Sequence, residues 1–171
     1  MKIQVGGLSE GVHAYSFTST PAEIGLPPEF RNDVAVQATL EKSSRQLLLR
    51  AGVSTSAEVA CDRCTTLFVQ PLQSKYQMYY FWEEPDEDRY DPAEVQVLTA
   101  GQTVLDLTDD VRQTVLLALP LKHVCGEQCK GLCPLCGRNL NEGSCTCTDT
   151  HEDGRWDKLK ELQNNKSNQA G

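Results

Sequence analysis

Six thiols crowd residues 125 to 147, which read CGEQCKGLCPLCGRNLNEGSCTC. They are spaced by Gly, Pro and Asn with no apolar periodicity, so the stretch cannot form an ordinary core segment. The remaining two cysteines, Cys61 and Cys64, make a CxxC pair some sixty residues earlier. Eight cysteines divide into two tetrahedral sets of four, and the rest of the chain reads as a scaffold that brings these sets together.

Zinc is the first choice of metal. It favours four thiolates in a tetrahedron, and a CxxC pair fits one turn of backbone whose N–H groups point at sulfur. In CPLCG, Pro134 pre-sets the turn and Gly137 allows a positive φ after the second ligand. The most economical pairing puts Cys133, Cys136, Cys145 and Cys147 in one local site. Cys61, Cys64, Cys125 and Cys129 then form a long-range second site. Other pairings exchange Cys125 or Cys129 with the local set, or recruit His123, which reads better as a bystander. Four thiolates also suit iron, a less favoured choice. Disulfides are disfavoured because the N-terminal MKIQVGGLSEGVH shows no apolar export signal. A closed four-thiolate shell leaves no position for a reacting water, so structural zinc outweighs catalytic zinc.

The CDRC pair is followed by TTLFVQPLQ, which is β-branched and contains Pro71. A thioredoxin-type pair would instead open a helix. The pair is therefore expected in a tight turn between two strands. Upstream, Val34, Val36, Ala38 and Leu40 alternate with polar neighbours, as do Leu47, Leu49, Ala51 and Val53 after the polar turn KSSR. A further run, Thr55 to Ala60, ends at Cys61, and Phe68, Tyr76, Met78, Tyr80 and Trp82 extend the pattern beyond Cys64. Short strands are expected at 2–6, at 12–17 and in EVQVL at 94–98. Consecutive strands with short turns argue an antiparallel meander.

Helical spacing then replaces the period of two. Val104, Leu107, Val111, Val115 and Ala118 share one face. Asp106 or Thr108 is placed to cap the helix, and Pro120 marks its stop. Past Cys147, Trp156, Leu159 and Leu162 fit a short helix before a disordered NNKSNQAG tail. The expected architecture is α+β. An antiparallel β-rich domain over 1–121 holds the CxxC hairpin and a helix at 107–119. A cysteine-rich zinc module follows at 122–148, then a short helix and tail at 149–171.

Charge narrows the function classes. Of 24 acids and 16 bases, ten acids and only Arg89 among the bases lie between residues 83 and 110, leaving a nearly neutral remainder. That is no broad basic footprint for nucleic acid, and an acidic loop serves solubility as readily as a basic partner. Six bases near the cysteines or in the tail (Arg63, Lys122, Lys130, Arg138, Arg155 and Lys158) are candidate contacts for RNA or a protein partner. They also read as ordinary surface bases. With no nucleophile triad, phosphate loop or paired carboxylates, no enzyme and no small-molecule substrate are expected. No apolar run approaches the roughly 20 residues of a membrane span, and a cytoplasmic setting with reduced thiols is the expectation.

The chain resembles the YceD-like family, the large ribosomal RNA subunit accumulation proteins. The matching pieces are VACDRC at 59–64, DLTDDVRQTVLLALPL at 106–121, and the six-cysteine stretch at 125–147. Some family members keep the first CxxC and a ligand after LALP but lack the CPxCG–CxC part, which supports dividing the cysteines into two sets. The resemblance implies a bacterial or plastid-type protein needed for large-subunit (23S) ribosomal RNA to accumulate, to which the cysteine spacing adds the zinc. Large-subunit ribosomal RNA or a large-subunit ribosomal protein would be its partner. From another class, a redox-switched zinc chaperone remains as the alternative, in which oxidation ejects the metal.

Overall fold

The computed structural model describes residues 1–85 and 89–147. It divides the chain into two compact units, Met1–Cys129 and Lys130–Gly171. The expected tail helix with Trp156, Leu159 and Leu162 lies outside the described residues, as do Arg155 and Lys158.

The first unit is built on a five-stranded sheet in the order β2-β3-β4-β5-β6. Its strands are β2 (Gly11–Ser19), β3 (Val34–Lys42), β4 (Gln46–Ala60), β5 (Leu67–Phe81) and β6 (Val95–Val97). The alternation in the sequence sets its faces. Val34, Val36, Ala38 and Leu40 of β3 are buried, opposite Val53, Ala51 and Leu49 of β4. The single helix, α1 (Thr108–Ala118), packs on β4 and β5 through buried Val111 and Val115. A two-stranded ribbon, β1 (Lys2–Gln4) with β7 (Val104–Asp106), adds Ile3 and Leu105 to the same core. Each such side chain contributes about 1.5–3 kcal/mol by leaving water. Truncating fully buried Leu49 or Leu107 to Ala should therefore cost about 2–5 kcal/mol.

The α+β reading with a β-rich body fits, and four differences have physical reasons. The run from Thr55 to Ala60 is not a separate strand. β4 continues unbroken for 15 residues and pairs with β5 along its whole length. The inward positions Val53, Thr55, Ala57 and Val59 stay in phase, so Ser54 and Ser56 simply occupy the outer face. β6 pairs with β5 in parallel, Tyr79 beside Val95, because the long segment after Phe81 returns the chain beside the strand it has just left. Trp82 falls one residue past the end of β5. Val104 belongs to β7 rather than to the helix, its backbone claimed by Gln4. The helix begins at Thr108, where the Asp106 carboxylate accepts from the Thr108 N–H at 3.0 Å and hydroxyl at 2.6 Å. Together with Leu119 and Pro120, that brackets the expected helix within one residue of its ends.

The first compact unit runs to Cys129, and Cys125 and Cys129 fold back onto the β4–β5 turn. Among the described residues no helix is long and apolar enough to cross a membrane.

Candidate metal centres

β4 and β5 position the first centre. Their ends at Ala60 and Leu67 are joined by Cys61-Asp-Arg-Cys-Thr-Thr, a turn closed by two backbone bonds. The Cys61 N–H donates to the Thr66 carbonyl at 2.9 Å, and the Thr65 N–H to the Cys61 carbonyl at 2.8 Å. This geometry forces Thr65 to φ 61°, the left-handed region. Cys61 and Cys64 are buried at the base of the turn. The chain leaving α1 supplies the other two thiols. Cys125 Sγ lies 3.6 Å from Cys64 Sγ, and Cys129 Sγ 3.8 Å from Cys61 Sγ. All four sulfurs fall within 4.8 Å of one another.

The two residues between the first pair of ligands grip the incoming segment. Asp62 forms a reciprocal pair with the backbone of His123: its N–H donates to the His123 carbonyl at 2.8 Å, and its carboxylate accepts from the His123 N–H at 2.7 Å. Arg63 donates through Nη1 to the Cys129 carbonyl at 3.2 Å. The Cys125 N–H points at Cys61 Sγ at 3.4 Å. His123 itself belongs to neither thiol group. Its Nδ1 is buried without a hydrogen-bond partner.

The second centre is local to the second unit. Cys133 to Gly137 repeats the first turn. The Cys133 N–H donates to the Arg138 carbonyl at 2.8 Å and the Gly137 N–H to the Cys133 carbonyl at 2.9 Å. Gly137 takes φ 71° in the place corresponding to Thr65. Leu132 and Asn139 pair as an antiparallel bridge across it. Cys145 Sγ approaches Cys133 Sγ to 3.4 Å, and with Cys136 and Cys147 the four sulfurs again lie within 4.8 Å. Cys133 is buried, whereas Cys136 and Cys147 are exposed.

Within each set the thiols shift one another's ionisation. Burial pushes the Cys61 thiol up, but the N–H groups of Cys125, Arg63 and Cys64 outweigh it and bring it to about 6. Backbone N–H groups of Cys136 and Leu135, with the Cys145 thiol, bring Cys133 to about 6. Contact with Cys64 first, then Cys129 and burial, pushes Cys125 to about 12, and contact with Cys136 does the same for Cys147. In each set one thiol is drawn down and a neighbour pushed up, because adjacent thiolates repel unless a cation lies between them. Tetrahedral bonds of about 2.3 Å place sulfurs about 3.8 Å apart. The 3.4, 3.6 and 3.8 Å separations lie near that spacing and far outside disulfide bonding. Either tetrad can hold a metal ion, and the grouping is the economical one drawn from the spacing.

Of the candidate contact residues, Lys122, Lys130 and Arg138 are exposed, while Arg63 is partly committed to Cys129. Sequence reasoning missed Asp62 and Thr65. Asp62 carried one available signal, its place between two ligands. Thr65 carried none, because a β-branched residue does not advertise a left-handed turn.

Residues 49–163 match the sequence model of the YceD family, described as large ribosomal RNA subunit accumulation protein YceD. Among curated proteins, YCED homolog 1 of the Zea mays chloroplast, named for large ribosomal RNA subunit accumulation, is 39% identical over 56 residues. That is 32% of this chain and 19% of the maize protein. Its Arabidopsis thaliana counterpart is 27% identical over 90 residues, 53% of this chain and 26% of that protein. The matched stretch thus spans about a fifth to a quarter of these plastid relatives. An uncharacterized protein of Mycobacterium tuberculosis is 28% identical over 151 residues, 84% of this chain and 70% of its own length. No solved structure matches the chain.

Proposed function

The chain belongs to the YceD family, and from that premise we propose that it is a non-enzymatic, zinc-binding factor supporting large-subunit ribosomal RNA accumulation and large-subunit assembly. The observation that carries the reading is the pair of four-thiol clusters, each with its sulfurs within 4.8 Å. Cys61, Cys64, Cys125 and Cys129 hold one zinc, and Cys133, Cys136, Cys145 and Cys147 the other. When bound, each ion supplies the positive charge that four converging thiolates need and fixes the segments that carry them. A shell filled by four thiolates leaves no site for an activated water, which is why the role is structural.

The family's name supplies the ribosomal connection. The chain's own chemistry supplies two kinds of surface. Exposed Lys122, Lys130 and Arg138 suit phosphate contacts, and the acidic segment from Glu83 suits a basic ribosomal protein. We place the protein in the cytoplasm, where thiols stay reduced. Crosslinking the tagged full chain in growing cells, then sequencing the attached RNA and identifying attached proteins, tests this. Enrichment of large-subunit ribosomal RNA or of a large-subunit ribosomal protein is expected. Recovery of neither above an untagged control contradicts the proposal, as does unchanged large-subunit ribosomal RNA after depletion.

A further inference from the structure

The two tetrads share their ligands but not what lies around them. At the first, the segment that brings Cys125 and Cys129 is fastened to the Cys61–Cys64 turn by bonds that do not pass through a metal. Asp62 holds His123 by two hydrogen bonds, 2.7 and 2.8 Å, and Arg63 holds the Cys129 carbonyl. These contacts hold residues 123–129 in register through atoms other than the sulfurs. At the second, the Cys133–Gly137 turn has its own backbone bonds. The loop leading to Cys145 is held further back, where Asn141 Oδ1 accepts from the Lys130 N–H at 2.8 Å, while among the described residues Gly143–Cys147 forms no backbone hydrogen bond and meets the turn through sulfur.

We propose that Asp62, assisted by Arg63, is a positioning residue that latches the first tetrad, making its metal the slowly exchanged one and leaving the second tetrad's metal readily exchangeable. The inference rests on the zinc reading above and adds to it the order in which the ions leave. A metal escapes when its ligands depart one after another. Ligands tethered by outer hydrogen bonds return before the next one leaves, whereas a pair held by the ion alone diffuses away. Two thiols of the second tetrad, Cys136 and Cys147, are exposed against Cys125 alone in the first, which gives a competing chelator a wider entry at the second. Asp62 does not touch the ion. It acts through the His123 backbone, two residues before Cys125.

The test uses the full chain loaded with two equivalents of Zn2+, then challenged with an excess of a chromogenic chelator. Release should occur in two phases of one zinc each, with the slow phase alone surviving in Cys133→Ser. Asp62→Ala should quicken the slow phase by roughly 10–100-fold, the usual cost of losing an outer-sphere partner, and leave the fast phase unchanged. Asp62→Asn should restore slow release, because its amide oxygen still accepts from His123 N–H. A generic packing defect would not be rescued in this way. If Asp62→Ala proves insoluble, Arg63→Ala provides the second variant, with a smaller acceleration expected. Two zincs leaving in one phase overturn the inference alone, as does a slow phase indifferent to both substitutions or an Asp62→Asn protein that behaves like the alanine variant. A chain that takes up no zinc overturns the metal reading and this inference together.

Discussion

The Cys61–Cys64 turn and the Cys133–Cys136 turn are nearly the same object, closed by the same two backbone bonds, yet they sit in opposite contexts. The first caps a hairpin whose strands are 15 residues each, and its ligands span Cys61 to Cys129. The second closes a loop from Cys133 to Cys147 in which, among the described residues, only Cys133 is buried. The contrast separates two uses of the same four ligands. In the first unit a metal would staple elements that already pack, and in the second it would take the place of a core. Even the turn residues differ accordingly. Gly137 meets the left-handed requirement without strain, while Thr65 meets it against the preference of a β-branched side chain.

The largest expected effect comes from removing a ligand of the stapled site. Cys61→Ser leaves three converging thiols at the end of the packed hairpin, with the segment after α1 held only by the Asp62 and Arg63 bonds. Because metal binding at such sites is worth on the order of 10 kcal/mol and domains have about 5–15 kcal/mol to lose, little soluble protein should be recovered. Circular dichroism of any soluble fraction should show a degraded β signal. Normal thermal stability of Cys61→Ser would erase the distinction between the sites.

Cys133→Ser should be milder for the body of the protein. The sheet should persist, with the first unit's melting temperature changed by less than about 4 °C, corresponding to a change below about 1 kcal/mol. One zinc and most ribosomal association should disappear. Full complementation of a ribosomal RNA accumulation defect by soluble Cys133→Ser would show that the second unit does not carry recognition.

Backbone substitutions give the smallest and sharpest comparison. Gly137→Ala places a Cβ at φ 71° in open space, so it should cost about 1 kcal/mol through conformation alone. Thr65→Gly should do the reverse, raising the first unit's stability by up to about 1 kcal/mol, net of glycine's greater freedom in the unfolded chain. Chemical denaturation of each variant measures both. Equal signs at the two positions would mean that the turns are not equivalent.

How much of this the sequence disclosed follows from the kind of interaction involved. Period-two burial in β3 and β4 was legible because it is written in side chains. So was the local tetrad, whose ligands and turn residues lie within fifteen positions. The long-range tetrad emerged as the set left over, its partners being named by composition and brought together only by the fold. The continuity of β4 through Ser54–Ser56 was hidden because outward polar residues look like a turn. The parallel pairing of β6 and the capture of Val104 by β1 depend on distant backbone, which carries no residue code. The grip of Asp62 on His123 was hidden for the same reason, since both of its partners there are main-chain atoms.

The central claim is that two closed thiolate tetrads each hold a zinc ion, and native mass spectrometry of the freshly purified, reduced full chain tests it most directly. The account predicts a dominant species with two zinc ions, falling to one in Cys133→Ser. A metal-free chain, a species with less than one zinc on average, or a mass lowered by disulfide formation in place of metal would contradict it.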